Sequence, residues 1–285
     1  EDHIHHALDE AGCGLVTYVP DNVFVTQDSG SVQRAVDAVP PGYTVNVQAL
    51  ACLTPYAADG RLLTVAYQGG PTLTLEPDPQ KPASTRLVAT GTPETDTILF
   101  ERGCQCGEVA VKYNGYLLGT HRPTSRLVAL GEAGDDLIGV SCLIGLPAWL
   151  YGGQGNDALV GGSGKDVLVG GDGNDVLTSG LGRSLLIGGN GADLLVGSLG
   201  EDILIAGRTT MDDWNAANDA ALWGVMSEWT GCASYDARVG NLRNVLRTGA
   251  DGQAATVFDD NARDIVFGLL GRDWFFANLA GGGVK

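Results

Sequence analysis

The stretch GGQGNDALVGGSGKDVLVGGDGNDVLTSGLGRSLLIGGNGADLLVGSLGEDILI, residues 152–205, repeats one nine-residue unit six times without a gap. Each unit reads as a glycine-rich turn followed by a short apolar strand, because glycine adopts unusual backbone angles at little cost. Strand alternation points the eighth residue of every unit inward. The pattern therefore predicts a coil of parallel strands around a single file of leucines. These are Leu159, Leu168, Leu177, Leu186, Leu195 and Leu204.

Residues 18 positions apart would stack on one edge of this coil, because two units complete one turn and neighbouring strands lie about 4.8 Å apart. We call the edge with Asp157, Asp175 and Asp193 at the sixth positions the first edge. Carboxylates stacked this closely repel one another unless a cation lies between them. Ca²⁺ suits the position, because it takes about six to eight oxygen ligands, carbonyls included, and tolerates irregular geometry. The first edge is therefore predicted to bind Ca²⁺.

These nonapeptides closely resemble the repeats-in-toxin (hemolysin-type) family of calcium-binding β-rolls, over residues 152–205. The resemblance implies that each ion takes the second and fourth carbonyls and the Asp of one turn, with the first and third carbonyls and the Asp of the turn 18 residues later. One implied ligand set is Gly153, Gly155, Asp157, Gly170, Asp172 and Asp175. The other is Gly171, Gly173, Asp175, Gly188, Asn190 and Asp193. Secondary metal candidates at equivalent positions are Asp136, Asp166, Asp202, Asp264 and Asp273.

The second edge, with Asp166, Ser184 and Asp202 at the sixth positions, departs from this pattern. Ser184 removes a carboxylate, and Lys165 and Arg183 place cations where Ca²⁺ would bind, which raises the electrostatic cost of ion binding. We therefore expect ions on the first edge alone, with Arg183 holding the second edge in their place. Ordered ions beside Ser184 at millimolar calcium would contradict this expectation.

The strand face that follows the second edge is apolar at positions that point outward. Its members are Val167, Val169, Leu185, Ile187, Ile203 and Ile205. An exposed apolar face of this size would be a liability, so another segment or subunit must cover it. The helix of the insertion after Ile205 is one candidate, because amphipathic helices usually bury their apolar side within their own domain. A second subunit is the alternative, in an oligomer or in a filament.

A helix is predicted in the insertion, with Thr210 as its N-cap, Asp212 and Asp213 in its first turn and Gly231 as its stop. It is expected to run to about Trp229. Its apolar side is predicted to comprise Trp214, Ala217, Ala221, Val225 and Trp229.

Irregular coil turns are predicted on both sides of the roll. Upstream, RLVATGTPETDTI (86–98) matches RLVALGEAGDDLI (126–138). Between them, EVAVKYNGYLLG favours a hairpin through a type I′ turn at Asn-Gly. Downstream, the nonapeptide rhythm returns as DDNARDIVF (259–267) and GLLGRDWFF (268–276), whose aromatic residues are expected to cover the C-terminal end of the coil.

The N-terminal stretch SGSVQRAVDAVPPGYTVNVQ (29–48) predicts a short amphipathic helix stopped by Pro-Pro-Gly and followed by a strand. This arrangement resembles the capped start of right-handed parallel β-helices.

Together these elements predict an all-β chain: a right-handed parallel β-helix or β-roll solenoid with a short N-terminal capping helix and a helical insertion. Uncharacterised secreted bacterial proteins with a roll, a helical insertion and this kind of ending resemble the whole chain. The expected segments are 1–85 (cap and β-helix start), 86–151 (degenerate turns with a hairpin), 152–207 (calcium-binding roll), 208–258 (helical insertion) and 259–285 (final turns and C-terminal cap).

Composition limits the partners and the compartment. A net charge of −17, with only 17 Lys and Arg, argues against nucleic-acid binding. The sequence contains no run of about 18 apolar residues, the length that would predict a membrane span. An even number of cysteines is compatible with three disulfides in an oxidising, extracellular compartment, while a thiolate metal site at the CxC pair is the alternative. The cysteines are Cys13, Cys52, Cys104, Cys106, Cys142 and Cys232.

We expect a secreted, calcium-stabilised structural protein, and not an enzyme: a surface, matrix, adhesive or filament component. The expected partners are further copies of the chain, or a cell surface or polysaccharide. The alternatives are a polysaccharide-active β-helix enzyme of the lyase or epimerase kind and a secretion or carrier module. Paired acids such as Asp135 and Asp136 favour a turn over sugar chemistry. His3, His5 and His6 could bind a metal but favour a frayed terminus.

Overall fold

The computed structural model describes residues 70–249 and 254–277 together with four strands that precede them. The chain divides into two compact units, Glu1–Thr72 with Gly115–Leu118, and Leu73–Asn114 with Gly119–Lys285. The four early strands form one sheet in chain order, antiparallel between the first two and parallel between the others. They are β1 (Thr17–Val19), β2 (Asn22–Val25), β3 (Thr44–Gln48) and β4 (Thr64–Gln68). The strand predicted after Pro-Pro-Gly is β3, whereas the predicted capping helix lies outside the described residues.

Two eight-stranded sheets follow in the chain. One has the strand order β5-β6-β10-β12-β14-β16-β18-β22 and the other β9-β8-β7-β11-β13-β15-β17-β21. The bounds of the first are β5 (Thr72–Asp78), β6 (Lys81–Thr90), β10 (Arg126–Ala133), β12 (Ala148–Gln154), β14 (Val167–Asp172), β16 (Leu185–Asn190), β18 (Ile203–Ile205) and β22 (Trp274–Phe276). Those of the second are β7 (Thr97–Arg102), β8 (Val109–Tyr113), β9 (Tyr116–His121), β11 (Leu137–Val140), β13 (Ala158–Val160), β15 (Val176–Thr178), β17 (Leu194–Val196) and β21 (Ile265–Phe267).

The strand register confirms the predicted parallel coil. Leu168 pairs with Leu150 and Leu186, its neighbours 18 residues away on either side. The predicted inward leucines are all fully buried, because successive turns stack them in one file: Leu159, Leu168, Leu177, Leu186, Leu195 and Leu204.

The irregular turns continue the same coil. Ile138 pairs in parallel with Ile98, so the 40-residue repeat adds coil turns upstream. The hairpin between these turns has positive φ at both Asn114 (48°) and Gly115 (84°), as a type I′ turn requires. Downstream, Leu195 pairs with Val266. The insertion therefore interrupts the solenoid, which then resumes.

The helical insertion covers the apolar face of the roll, as the first of the two alternatives predicted. It contains β19 (Arg208–Thr209), α1 (Ala216–Trp229), α2 (Tyr235–Leu242) and β20 (Val257–Phe258). The six outward residues of the roll are at most 2% exposed and share one cluster with residues of the insertion. Those contributed by the insertion are Met211, Leu222, Val225, Met226, Trp229, Val239, Leu242, Leu246 and Val257.

Helix α1 ends at Trp229, as predicted, but it begins later than predicted and buries a partly different set of side chains. Its N-cap is Asn215, whose side-chain oxygen accepts hydrogen bonds from the N–H groups of Ala217 and Asn218, both at 3.0 Å. Thr210 is not the cap, because the chain first makes a turn in which Asp212 accepts from the N–H and hydroxyl of Thr209. Of the predicted apolar side, Val225 and Trp229 are buried and Trp214 and Ala221 pack against the same cluster, whereas Ala217 is exposed. The full set of buried helix residues is Asp219, Leu222, Val225, Met226 and Trp229. Helix α2 had not been predicted.

A buried ion-pair cluster attaches α1 to the coil, and we call it the Arg126 clamp. The guanidinium of Arg126 is inaccessible to solvent and pairs with Asp78 at 3.0 Å and with Asp219 at 2.7 Å. It lies 4.1 Å from the ring centroid of Trp149 on β12 and 5.3 Å from that of Trp223 on α1. Burial by itself would raise the pKa of Asp78, but hydrogen bonds from Ser125 and Arg126 outweigh it and lower that pKa.

The remaining expectations concern disulfide bonds and membrane spans. Cys104, Cys106, Cys142 and Cys232 are exposed free thiols, so the four cysteines in the described part form no disulfide. The other two lie outside the described residues. No helix within 70–249 and 254–277 is both long and apolar enough to cross a membrane.

Candidate metal centre

The sixth-position aspartates of the first edge form a hydrogen-bonded ladder. In each turn, the backbone N–H of the aspartate donates to Oδ1 of the aspartate one turn later. The steps are Asp96 to Asp136 (2.7 Å), Asp136 to Asp157 (2.8 Å), Asp157 to Asp175 (2.7 Å), Asp175 to Asp193 (2.8 Å) and Asp193 to Asp264 (3.0 Å). The ladder thus extends the predicted stack of three in both directions, and places Asp136 and Asp264 on the first edge.

The second carboxylate oxygen, Oδ2, is buried without a hydrogen-bond partner in four consecutive members of this ladder: Asp136, Asp157, Asp175 and Asp193. Leaving one buried acceptor unsatisfied costs about 1–3 kcal/mol, and more if the group is charged. Burial raises the pKa of these side chains to about 7, 6, 7 and 8 respectively, and neighbouring carboxylates raise each of them further. A cation bound along this row would neutralise the carboxylates and give each bare Oδ2 atom a partner.

The glycines of the first edge leave room in front of backbone carbonyls. Gly171 and Gly173 have φ of 117° and 140°, angles that side chains rarely adopt. A Cβ at these positions would lie 2.1 Å from the carbonyl oxygen of Gly153 and 1.9 Å from that of Gly155. Any larger residue would therefore fill the space beside two of the carbonyls in the implied ligand set. Gly189 and Gly191 repeat this arrangement one turn later.

The second edge has a different backbone and a different set of partners. No positive φ occurs at its glycines in the roll, which are Gly161, Gly162, Gly164, Gly180, Gly182, Gly197 and Gly200. Its ladder runs from Ser184 N–H to Asp202 Oδ1 (2.7 Å) and from Asp202 N–H to Asp273 Oδ1 (2.8 Å), but the step from Asp166 N–H to the Ser184 hydroxyl is long, at 3.4 Å. Of the two second-edge aspartates in the roll, Asp166 has an Oδ2 without a hydrogen-bond partner and Asp202 does not. Burial raises the pKa of Asp166 to about 7.

A hydroxyl at the second position of a turn satisfies the aspartate that follows it. On the second edge, Asp202 Oδ2 accepts from the N–H and the hydroxyl of Ser198, at 2.7 and 3.2 Å. At the start of the first edge, Asp96 Oδ2 accepts from Thr92 in the same way, at 2.7 and 3.0 Å. Where the second position is glycine, Oδ2 is bare. Sequence reasoning had missed these capping residues, although a Ser or Thr four residues before the aspartate marks them.

The two cations of the second edge reach the insertion. Arg183 pairs with Glu201 at 3.0 Å and donates to the carbonyl oxygen of Gly231 at 3.2 Å. Lys165 donates to the carbonyl oxygen of Thr230 at 3.4 Å. These contacts link the second edge to the end of α1.

The donor set of the first edge fits a hard cation that accepts carbonyl ligands. Within the described ranges, no three His, Cys, Asp or Glu side chains cluster as a side-chain metal site would require. A calcium site of the implied kind needs only two carboxylates and takes its other oxygens from the backbone. The carbonyls of Asp172 and Asn190 accept N–H bonds from Gly155 and Gly173, both at 2.8 Å, and each carbonyl keeps a second lone pair.

The described coil is a parallel β-roll, and its first edge carries the oxygen donors described above. Residues 151–186 and 182–208 match the family model of the RTX calcium-binding nonapeptide repeat, in four copies. The roll is therefore an RTX repeat, and Ca²⁺ is the ion that such repeats bind. No curated protein and no solved structure matched the chain.

Proposed function

We propose that the protein is an extracellular structural component whose solenoid folds around Ca²⁺ on its first edge. The observation that carries the proposal is the row of four consecutive buried Oδ2 atoms without partners. At neutral pH these carboxyls either take up protons or need a cation, and extracellular calcium provides one. The five-segment division predicted above, with 152–207 as the calcium-binding roll, is part of this proposal.

Two ions are proposed, each between successive first-edge turns. One lies between the turns 152–157 and 170–175, and the other between 170–175 and 188–193, with the carbonyl and carboxylate ligands implied by the family resemblance. Asp175 belongs to both sets. When bound, the ions neutralise the stacked carboxylates, and the chain positions the carbonyls through its glycine turns. We propose that the second edge binds none, because Ser184 and the Ser198 cap replace ionic ligands by hydroxyls.

Calcium would act as a folding switch in this scheme. Extracellular calcium sites bind with dissociation constants of about 10⁻⁴ to 10⁻³ M, and a tenfold excess of the ion adds about 1.4 kcal/mol per independent site. Two sites would therefore add about 3 kcal/mol, a considerable part of the stability of a typical domain. A chain that gains much of its stability in a calcium-rich medium suits a surface, matrix, adhesive or filament role.

Ion counting by equilibrium dialysis, with thermal melts in calcium and in EDTA, tests the ligand assignment. We expect two bound ions and a lower Tm in EDTA. Asp175→Asn should abolish both sites, whereas Asp202→Asn, the matched change on the second edge, should leave the number of bound ions at two. A Tm that is the same in EDTA and in calcium would refute functional calcium binding.

Electron microscopy of the purified chain with and without calcium tests the structural role. Filaments or ordered arrays that form only with calcium would support it. Dispersed particles under both conditions would count against self-assembly and leave attachment to another surface component as the form of the role.

A further inference from the structure

The outer face of the second eight-stranded sheet is apolar along β11, β13, β15, β17 and β21. The first and third residues of each of these strands point outward, and the strand register aligns them in two rows across the sheet. One row is Leu137, Ala158, Val176, Leu194 and Ile265, and the other is Gly139, Val160, Thr178, Val196 and Phe267. We call these ten residues the uncovered face. None of them is charged, although the net charge of the chain is −17.

The two outer faces of the coil differ in their cover. The outward residues of the roll in the first sheet are at most 2% exposed beneath the insertion. On the uncovered face, five side chains are 41–53% exposed, so no element in the described part of the chain shields them in that way. They are Leu137, Val160, Val176, Ile265 and Phe267. A contiguous apolar patch of this kind is typical of an interaction surface.

The two ends of the uncovered face have opposite shapes. At one end Gly139 has no side chain, and a hollow of about 560 Å³ opens there between Leu137, Leu143 and Val160. At the other end stands the ring of Phe267, the largest side chain of the face. Four strand spacings separate the two ends, or about 19 Å, so the ring and the hollow of one molecule do not meet. A hollow of this volume accepts a phenyl ring.

A twofold axis along β15 would bring the two ends together in a pair of molecules. It reverses the order of the strands but keeps the position along each strand, so every residue meets one of its own row. The pairs would be Gly139 with Phe267, Val160 with Val196 and Thr178 with Thr178 in one row, and Leu137 with Ile265, Ala158 with Leu194 and Val176 with Val176 in the other. The two smallest residues, Gly139 and Ala158, thus meet larger ones. Aligned sheets pack in this way in β-sandwiches.

Area and charge also favour a second copy of the chain as the occupant. Five strands of three residues cover about 24 by 10 Å. On two copies, with the side chains that project from them, this amounts to about 1,000 Å² of accessible surface, the lower limit for a specific interface and typical of weak association. Because neither copy carries a charge on this face, the acidic chains bury no unpaired carboxylate when the faces meet.

We propose that two copies of the chain pack their uncovered faces together around a twofold axis along β15, with Phe267 of each copy in the hollow beside Gly139 of the other. This inference deepens the structural role proposed above, on which it rests, because it names the surface through which copies of the chain assemble.

Sedimentation equilibrium of the full chain in saturating calcium tests the interface. We expect a dimer with a dissociation constant of about 1–100 μM, as suits its small area. Phe267→Ala, which removes the ring, and Gly139→Val, which fills the hollow, should each weaken the dimer about tenfold or more. A Cβ at Gly139 would lie 3.2 Å from Cδ2 of Leu99, a contact that this flexible side chain can relieve. The control is Leu199→Lys, at a leucine of the second edge that is 63% exposed, and it should dimerise as the unaltered chain does.

Thr178 tests the twofold axis itself, because it would lie opposite its own copy. Thr178→Lys and Thr178→Asp should each be monomeric alone, since each places two like charges against one another. An equimolar mixture of the two variants should dimerise, because opposite charges then meet. A mixture that stays monomeric would overturn the twofold arrangement, and a Thr178→Lys chain that dimerises normally would overturn the surface.

A monomer at every concentration would also overturn the proposal, and binding of the apolar dye ANS then identifies what replaces it. A monomer that binds ANS at this face would leave the face to a different partner, whereas one that binds none would assign its cover to another segment of the same chain. Thermal melts verify that each variant is folded. A Tm insensitive to EDTA would refute the calcium function and leave the sedimentation result intact, so the two failures are distinguishable.

Discussion

Replacing Asp219 by alanine should detach the insertion from the coil. Asp219 lies on the buried side of α1 and accepts from Arg126 at 2.7 and 2.9 Å, at a site where both side chains are at most 3% exposed. Removing one partner of a buried ion pair costs about 3–5 kcal/mol, because the remaining charge stays buried. Asp78 still pairs with Arg126, so we expect the lower end, about 3 kcal/mol. At about 2–4 °C per kcal/mol, Tm should fall by about 6–12 °C.

Scanning calorimetry in saturating calcium measures this fall in Tm. Tryptophan fluorescence reports whether the structure changes around Arg126, because Trp149 and Trp223 flank its guanidinium. The control is Asp236→Asn, at an acid in the first turn of α2 that pairs with Arg272. The side chain of Asp236 is 80% exposed and that of Arg272 is 59% exposed. Exposed pairs contribute little, so its Tm should change by at most about 2 °C. An equally small change in Asp219→Ala would refute the claim that the clamp attaches the insertion.

Further predictions concern the two edges. In EDTA, Tm should fall between pH 5 and pH 8. Burial raises the folded-state carboxyl pKa values of the four ladder residues Asp136, Asp157, Asp175 and Asp193 from 3.8 to about 6–8. A raised carboxyl pKa contributes stability that is lost as pH rises through this window. Saturating calcium should flatten this decline, and a flat profile in EDTA would contradict it. Gly171→Ala should abolish ion binding in dialysis and lower Tm, because its Cβ would lie 2.1 Å from the Gly153 carbonyl oxygen at a φ of 117°. The control is Gly224→Ala on the open side of α1, which should stabilise the protein by up to about 1 kcal/mol. Ser198→Gly should reduce the free energy of unfolding in EDTA by about 1 kcal/mol, measured by urea denaturation, and leave the ion count unchanged.

Periodicity predicted the coil because its physical cause is local. A residue such as Leu186 is buried by its neighbours 18 residues away on either side, and the repeat itself places them there. The same reasoning identified the apolar outer face and the need for a cover. It extended to the 40-residue repeat, because those turns keep the strand residues that pair Ile138 with Ile98.

The attachment of the insertion lay beyond such reasoning. The pair between Arg126 and Asp219 joins residues 93 positions apart, and no period relates them. Asp219 resembles a surface acid on a helix, so the apolar side was predicted through Ala217 and Ala221 and not through Leu222 and Met226. The helix start was misplaced for a local reason, since the turn between Thr209 and Asp212 competes with capping at Thr210.

The two edges show how one backbone repeat can be completed in two ways. Each turn leaves the Oδ2 of its aspartate facing the first half of that turn, close to the first glycine. If the second residue carries a hydroxyl, as in Thr92 and Ser198, the turn supplies its own donors and needs no ion. If that residue is glycine, as before Asp157, Asp166, Asp175 and Asp193, the turn lacks this donor and the Oδ2 stays bare. On the first edge the stacked carboxylates can then share an ion, whereas on the second edge Ser184 interrupts the stack next to Asp166. The second residue of a turn thus determines whether the turn satisfies its own aspartate, and the stack of carboxylates determines whether a bare oxygen can take an ion.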